Sequence, residues 1–149
     1  MRLTGESLQS PALARLVERY RRRLETVDPT FSWSNPEWWR DEVNAVVLVR
    51  EAEMPSPRGF LIVGYGPHVD DDVRGEICEV FNEGSPLSLL PLIREALEWL
   101  TPPWGFQVLR RDERTGRLFE RCLERAGLEW TSSPARDGTT EVIRYRIHS

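Results

Sequence analysis

The spacing of apolar residues changes several times along the chain, and each change marks an element. From Ser10 onward, Leu13, Leu16, Val17, Tyr20 and Leu24 recur at three- and four-residue intervals, which puts them on one face of a helix. Ser10 is a good capping residue, and Pro11 suits the first helical position, where its missing N–H is not needed. The opposite face carries Arg15, Arg19, Arg21, Arg22 and Arg23, a run that reads as a solvated face, with an acidic partner as the alternative. Ahead of this helix, Met1 to Thr4 has room for a short edge strand only. Asp28-Pro29 breaks the pattern, and Asn35-Pro36 restarts a short helix holding Trp38 and Trp39.

Two continuous apolar runs follow, Ala45 to Val49 and Phe60 to Tyr65, and the turn-rich MPSPRG between them predicts a hairpin. After PHVDDDVRG comes a third strand, Glu76 to Phe81. Leu89, Leu92, Ile93, Ala96, Leu97 and Leu100 then form a helical stripe, with Ser88 as its cap. A strand from Phe106 to Arg110 and a helix from about Gly116 to Ala126 come next, the helix stopped by Gly127. Leu128 to Thr131 and Val142 to Ile147 are the last strands, turned by Asp137-Gly138. The order is strand, helix, helix, three strands, helix, strand, helix, two strands. It predicts one α/β (α+β) domain over residues 1–149, a mostly antiparallel mixed sheet of about seven strands with about four helices on its faces.

Composition narrows the function classes. The 149 residues suffice for one domain with a hydrophobic core. A net charge of -4 argues against nucleic acid, which needs a dense positive face. No apolar run approaches the roughly 18 residues of a membrane span, and the N-terminal residues do not read as a secretory signal. Cys78 and Cys122 read as packed thiols, consistent with a reducing cytoplasm. All 20 basic residues are arginine, so no lysine is available for Schiff-base chemistry.

The segment Leu118-Phe-Glu followed by Gly127-Leu128 resembles the late helix and next strand of the GNAT N-acetyltransferase superfamily. Glu76 to Val80 is similar to that family's central strand, whose backbone receives the acyl-pantetheine arm. With the element order, the resemblance covers the whole chain. It implies acetyl-CoA or another acyl-CoA as cofactor, held at Val80, Gly84, Ser85 and Ser88. Glu79 and Glu76 are the candidate general bases and should stand on opposite faces of their strand, although the residues by themselves read first as carboxylates that face solvent or pair with arginine. A dry setting would raise the pKa of Glu79 toward a useful value. The departures are as informative. The turn in CEVFNEGSPLSLL lacks the family's glycine-rich cradle of backbone amides, Pro86 removes a donor, and Glu83 places a negative charge where phosphates would sit. Phe119 stands where many members have a proton-donating tyrosine.

Three further features bear on function. His68-Val-Asp70-Asp71-Asp72 has hard-metal ligand types but reads as a solvated acidic turn, and no metal is expected. Phe31, Trp33, Trp38 and Trp39 crowd a short segment, as an aromatic acceptor pocket or as a docking surface for a protein partner or a second copy of the chain. Trp99 and Trp104 are placed to cover the groove where a cofactor would enter. The combined expectation is a GNAT-fold protein with a degraded acyl-CoA site, acting as a binding or structural protein without nucleic-acid or membrane partners. Divergent GNAT-like proteins of bacterial and phage genomes, phage virion components among them, provide the precedent, so the location would be cytoplasmic or virion-associated. The alternative is an acyl-CoA-dependent N-acetyltransferase acting on an amine of a small molecule or protein.

Overall fold

The apolar stripe that begins after Ser10 becomes helix α1, Pro11–Val27, with Leu13, Leu16 and Val17 buried and the Ser10 hydroxyl accepting the Leu13 N–H at 3.5 Å. The computed structural model describes residues 1–31, 37–50, 57–83 and 89–149. Strand β1 is Arg2–Leu3, and after α1 a single tight turn, Trp38–Arg40, takes the place of the expected second helix. Then come β2 (Ala45–Val49), β3 (Gly59–Gly64), β4 (Glu76–Asn82), α2 (Leu90–Ala96), β5 (Trp104–Leu109), α3 (Glu113–Arg125), β6 (Trp130–Asp137) and β7 (Thr140–Ile147). Apart from that turn the predicted order holds, with three α-helices among the described residues.

Several boundaries moved, and two of them show why. Helix α3 starts earlier than its apolar pattern suggests because Asp112 caps it, accepting the Thr115 N–H at 3.3 Å and the Thr115 hydroxyl at 2.7 Å. Strand β6 runs to Asp137 although Ser132 to Asp137 has no apolar run; pairing with β7 along its whole length holds it as a polar edge strand. Gly138, at φ +60°, supplies the left-handed turn between the two.

The seven strands form one sheet in the order β1-β2-β3-β4-β5-β7-β6. Every neighbouring pair is antiparallel except β4 and β5. Strands β2 and β3 are apolar throughout because both of their faces are covered. Val47, Val49, Phe60 and Ile62 pack with Leu13, Leu16 and Val17 of α1. Val46, Leu48, Leu61 and Val63 pack with α2, α3 and the inner side of β5 and β7 on the other face. The chain thus builds two cores separated by its sheet.

The site depends on what happens in β4. Opposite β3, Glu79 faces Ile62 while Ile77 faces Val63, so the register slips by one residue and Cys78 is extra. Ile62 belongs to the α1 face and Val63 to the opposite one, which puts Ile77 and Glu79 on different faces although they are two residues apart. A bulge of this kind re-aims side chains where pairing changes.

Candidate active site

Strands β4 and β5 run parallel but pair only at Glu76↔Gly105 and Ile77↔Phe106. Their closed end is fixed by the Arg74 N–H donating to the Pro103 carbonyl at 2.8 Å and the Gly105 N–H donating to the Gly75 carbonyl at 3.2 Å. Gly105 is required there: a Cβ would lie 2.4 Å from the Tyr145 carbonyl oxygen and 2.6 Å from Arg146 Nη1. Beyond Ile77 the ladder stops, although β4 continues to Asn82 and β5 to Leu109. A cavity of about 650 Å³ opens in the resulting V, lined by Glu79 to Asn82 on one side and Phe106 to Leu109 on the other. That is the size of a typical small-molecule site. A second, more open cavity of about 920 Å³ lies against it, and Phe31, Cys78, Glu79 and Gln107 line both. The two chambers share a wall at these residues.

Glu79 stands at the junction. Burial among protein atoms, with a small further push from Asp137, raises its pKa to about 8. The Tyr20 hydroxyl of α1 donates to its carboxylate, and the Val80 N–H in turn reaches the Tyr20 oxygen. Tyr20 is wedged against Phe60 and Phe81, at ring-centroid distances of 5.4 and 5.7 Å, so its hydroxyl is well fixed. Burial drives the Tyr20 pKa far upward, which keeps that proton in place.

Glu76 differs in its surroundings. The expectation that Glu76 and Glu79 stand on opposite faces is corrected by the bulge at Cys78: both line the second cavity. Arg146 reaches Glu76 at 3.4 Å and also grips Asp70 at 2.7 Å and Asp72 at 2.8 Å. Burial and the Asp70 charge outweigh Arg146, so the Glu76 pKa rises to about 7. The acidic turn is not merely solvated, because Asp70 and Asp72 tie β7 to the mouth of the second cavity. Among the described residues no His, Cys, Asp and Glu group forms a metal-holding cluster.

The remaining expected site residues fall as follows. Phe119 is buried, with its ring 4.5 Å from that of Phe106, and it forms part of the first cavity's wall. Val80 lines the same wall, whereas Gly84, Ser85 and Ser88 lie outside the described residues. Glu83 forms an ion pair with Arg19, which draws its charge onto α1. Of the aromatic segment, Trp33 lies outside the described residues. Trp39 is 2% exposed, Trp38 packs 4.9 Å from His68 and lines the second cavity, and Phe31 lines both. Phe31 and Trp38 thus line cavities, whereas Trp39 packs in the α1 core. Trp99 and Trp104 do not cover the groove. Trp104 is buried in the core as the first residue of β5, and the Arg2 guanidinium lies 4.6 Å over the Trp99 ring.

Sequence reading missed Tyr20 as a functional residue. Its one signal was a hydroxyl on an otherwise apolar helical stripe, since a buried tyrosine hydroxyl usually finds a partner. Tyr145, stacked 4.5 Å from Phe106, was also missed; burial and Glu120 push it up to about 12.

A mixed sheet that opens between two parallel central strands, with α1 on one face and α2 and α3 on the other, has counterparts among solved structures. A protein assigned to the GNAT family of acetyltransferases, from Desulfovibrio desulfuricans, matches with a TM-score of 0.59 at 16% identity, over 99% of this chain and 96% of that one. This is the GNAT fold. A CoA-dependent acyl-homoserine lactone synthase, MesI, matches with a TM-score of 0.52 at 13% identity, over 99% of this chain and 87% of that one. No protein-family model matches the sequence, and comparison with curated proteins finds no significant match. At such identities the GNAT likeness establishes architecture, and chemistry has to be argued from the site. No described helix is long and apolar enough to cross a membrane.

Proposed function

We propose that the protein is an acyl-CoA-dependent N-acyltransferase, with the thioester in the β4–β5 gap and an amine acceptor in the adjoining chamber. The observation that carries this reading is the open gap itself, with Glu79 at the junction and a pKa near the working pH. The residues present fit the cosubstrate. Strand edges that lose their partners beyond Ile77 can hydrogen-bond an amide-bearing arm as an added strand would. Leu89, Phe106 and Val108 give it an apolar wall.

In this reading Glu79, once ionised, takes the proton of the attacking amine as the new N–C bond forms and the C–S bond breaks. Two features make it the better base than Glu76. It faces both chambers, and no arginine holds it, whereas Glu76 is tied to Arg146. Tyr20 orients the carboxylate, and the proton that Glu79 takes from the amine is the one available to the departing thiolate. Cys78 is a poor nucleophile: burial raises its thiol pKa, and the sulfur lies 3.7 Å from the Glu76 carbonyl oxygen. Phe31 and Trp38 favour an acceptor with an apolar or aromatic portion next to its amine.

The alternative, a binding or structural protein with a degraded cradle, rested on the missing glycine-rich motif, Pro86, Phe119 and the Glu83 charge, and of these the charge is now paired with Arg19. The test is thiol release from acetyl-CoA across a panel of aliphatic and aromatic amines. Acceptor-dependent release, lost by a factor of about 10²–10⁴ in Glu79→Gln, is the expected result. Release in no acceptor's presence, from a protein that also binds no acyl-CoA, would return the chain to the non-catalytic reading.

A further inference from the structure

The family cradle is missing from the sequence, yet the mouth of the gap is rich in cations. Arg114, Arg117 and Arg121 fall at intervals of three and four residues, a single stripe along α3, and all three line the first cavity. Arg23, from the last turns of α1, lines it from the other side. All four are exposed, and none has an ion-pair partner among the described residues. Three of the acids nearby are otherwise engaged. Asp112 caps α3, Glu120 interacts with the Tyr145 hydroxyl, and Glu83 is paired with Arg19. Asp137 also lines the first cavity, but the four arginines outnumber it, so net positive charge remains where the gap opens, at the C-terminal ends of β4 and β5.

We propose that this arginine stripe, with Arg23 opposite, is the binding site for the phosphates of coenzyme A, held by side-chain charge in place of backbone amides. The inference rests on the acyltransferase reading and adds a feature the sequence did not disclose: the anion site has moved from the turn after β4 to α3 and α1. Guanidinium groups suit phosphate because they offer paired donors in a fixed plane. Exposed pairs contribute modestly one by one, so several have to act together. That predicts tight dependence on salt and on the phosphates themselves, with little dependence on the acyl group.

The experiment is equilibrium binding by calorimetry of CoA and of pantetheine, which lacks the phosphates, to the full-length wild-type chain and to the Arg114→Ala/Arg117→Ala/Arg121→Ala variant. The expected result is a loss of about tenfold or more in CoA affinity, no change for pantetheine, and only partial recovery of CoA affinity when the same three positions are lysine, which keeps the charge without the paired donors. A weaker salt dependence of CoA binding in the alanine variant is expected as well. All three positions are exposed, so an unchanged thermal unfolding profile will show that the variant is folded. Equal CoA affinity in wild type and variant overturns the arginine site and leaves the acyltransferase reading standing. An equal loss for CoA and pantetheine also overturns it, since the arginines would then be shaping the gap. No binding of CoA to the wild type at millimolar concentration overturns the arginine site and the acyltransferase reading together. Binding of a phosphopantetheine-bearing carrier protein without binding of CoA overturns CoA as the occupant.

Discussion

The two halves of this sheet are built to different standards. In the half formed by β2 and β3, every residue is buried, both faces are covered, and pairing runs the full length of the strands. In the other half, β4 and β5 share two residue pairs and then part, and the widening space is lined with Glu79, Tyr20, Gln107 and a row of arginines. The first half follows the rule that parallel or doubly covered strands are apolar throughout. The second departs from that rule where an amide-bearing ligand could complete the ladder. Poor packing concentrated beside a desolvated acid marks a working site better than either feature alone.

The comparison can be broken at either half. The largest effect is expected on the open side, where Glu79→Gln should lower turnover by about 10²–10⁴ with little change in fold. On the closed side, Phe60→Ala removes a fully buried ring at the centre of the α1 core. It should cost about 3–5 kcal/mol in denaturant unfolding and, because Phe60 packs on Tyr20, lower turnover by far less than Glu79→Gln does once the variant is folded. Comparable destabilisation by Glu79→Gln at pH 7 would show that the open half is as tightly built as the closed one.

The next effect depends on pH. Burial lifts the Glu79 pKa from the ordinary carboxylate range to about 8, so between those values the folded chain holds a proton that the unfolded chain has released. Stability contributed by this group is therefore present at low pH and is lost as pH rises through about 8. Glu79→Gln should remove that slope and gain on wild type by about 2–4 kcal/mol between pH 5 and pH 9, read by chemical denaturation across pH. Activity should move the other way, rising to a plateau above about pH 8 as the base ionises. A smaller effect is expected for Arg146→Leu, which unties Asp70, Asp72 and Glu76. It should lower stability by about 1–3 kcal/mol at pH 8, and by less at pH 5, where Glu76 is protonated.

The closed half was legible in the sequence because its signals are periodic: apolar runs for β2 and β3, a three-four stripe for α1, a capping Ser10 and Pro11. The site was legible only in part. Glu79 could be named from its place on the central strand, but the bulge at Cys78 that brings Glu76 to the same face leaves no mark in an alternation of side chains. The Arg114, Arg117 and Arg121 stripe was not singled out, since nothing local says that α3 borders a gap. Glu83 looked like an obstacle because its partner, Arg19, lies 64 residues away. Long-range pairings of this kind are set by topology, and the local pattern does not contain them.

The claim underlying all of this is that the β4–β5 opening admits an acyl-CoA. Thermal unfolding with and without acetyl-CoA tests it most directly, and needs no knowledge of the acceptor. At about 100 times the dissociation constant, the ligand should add roughly 2.7 kcal/mol and raise the midpoint by several degrees. An unchanged midpoint at millimolar acetyl-CoA would contradict the account.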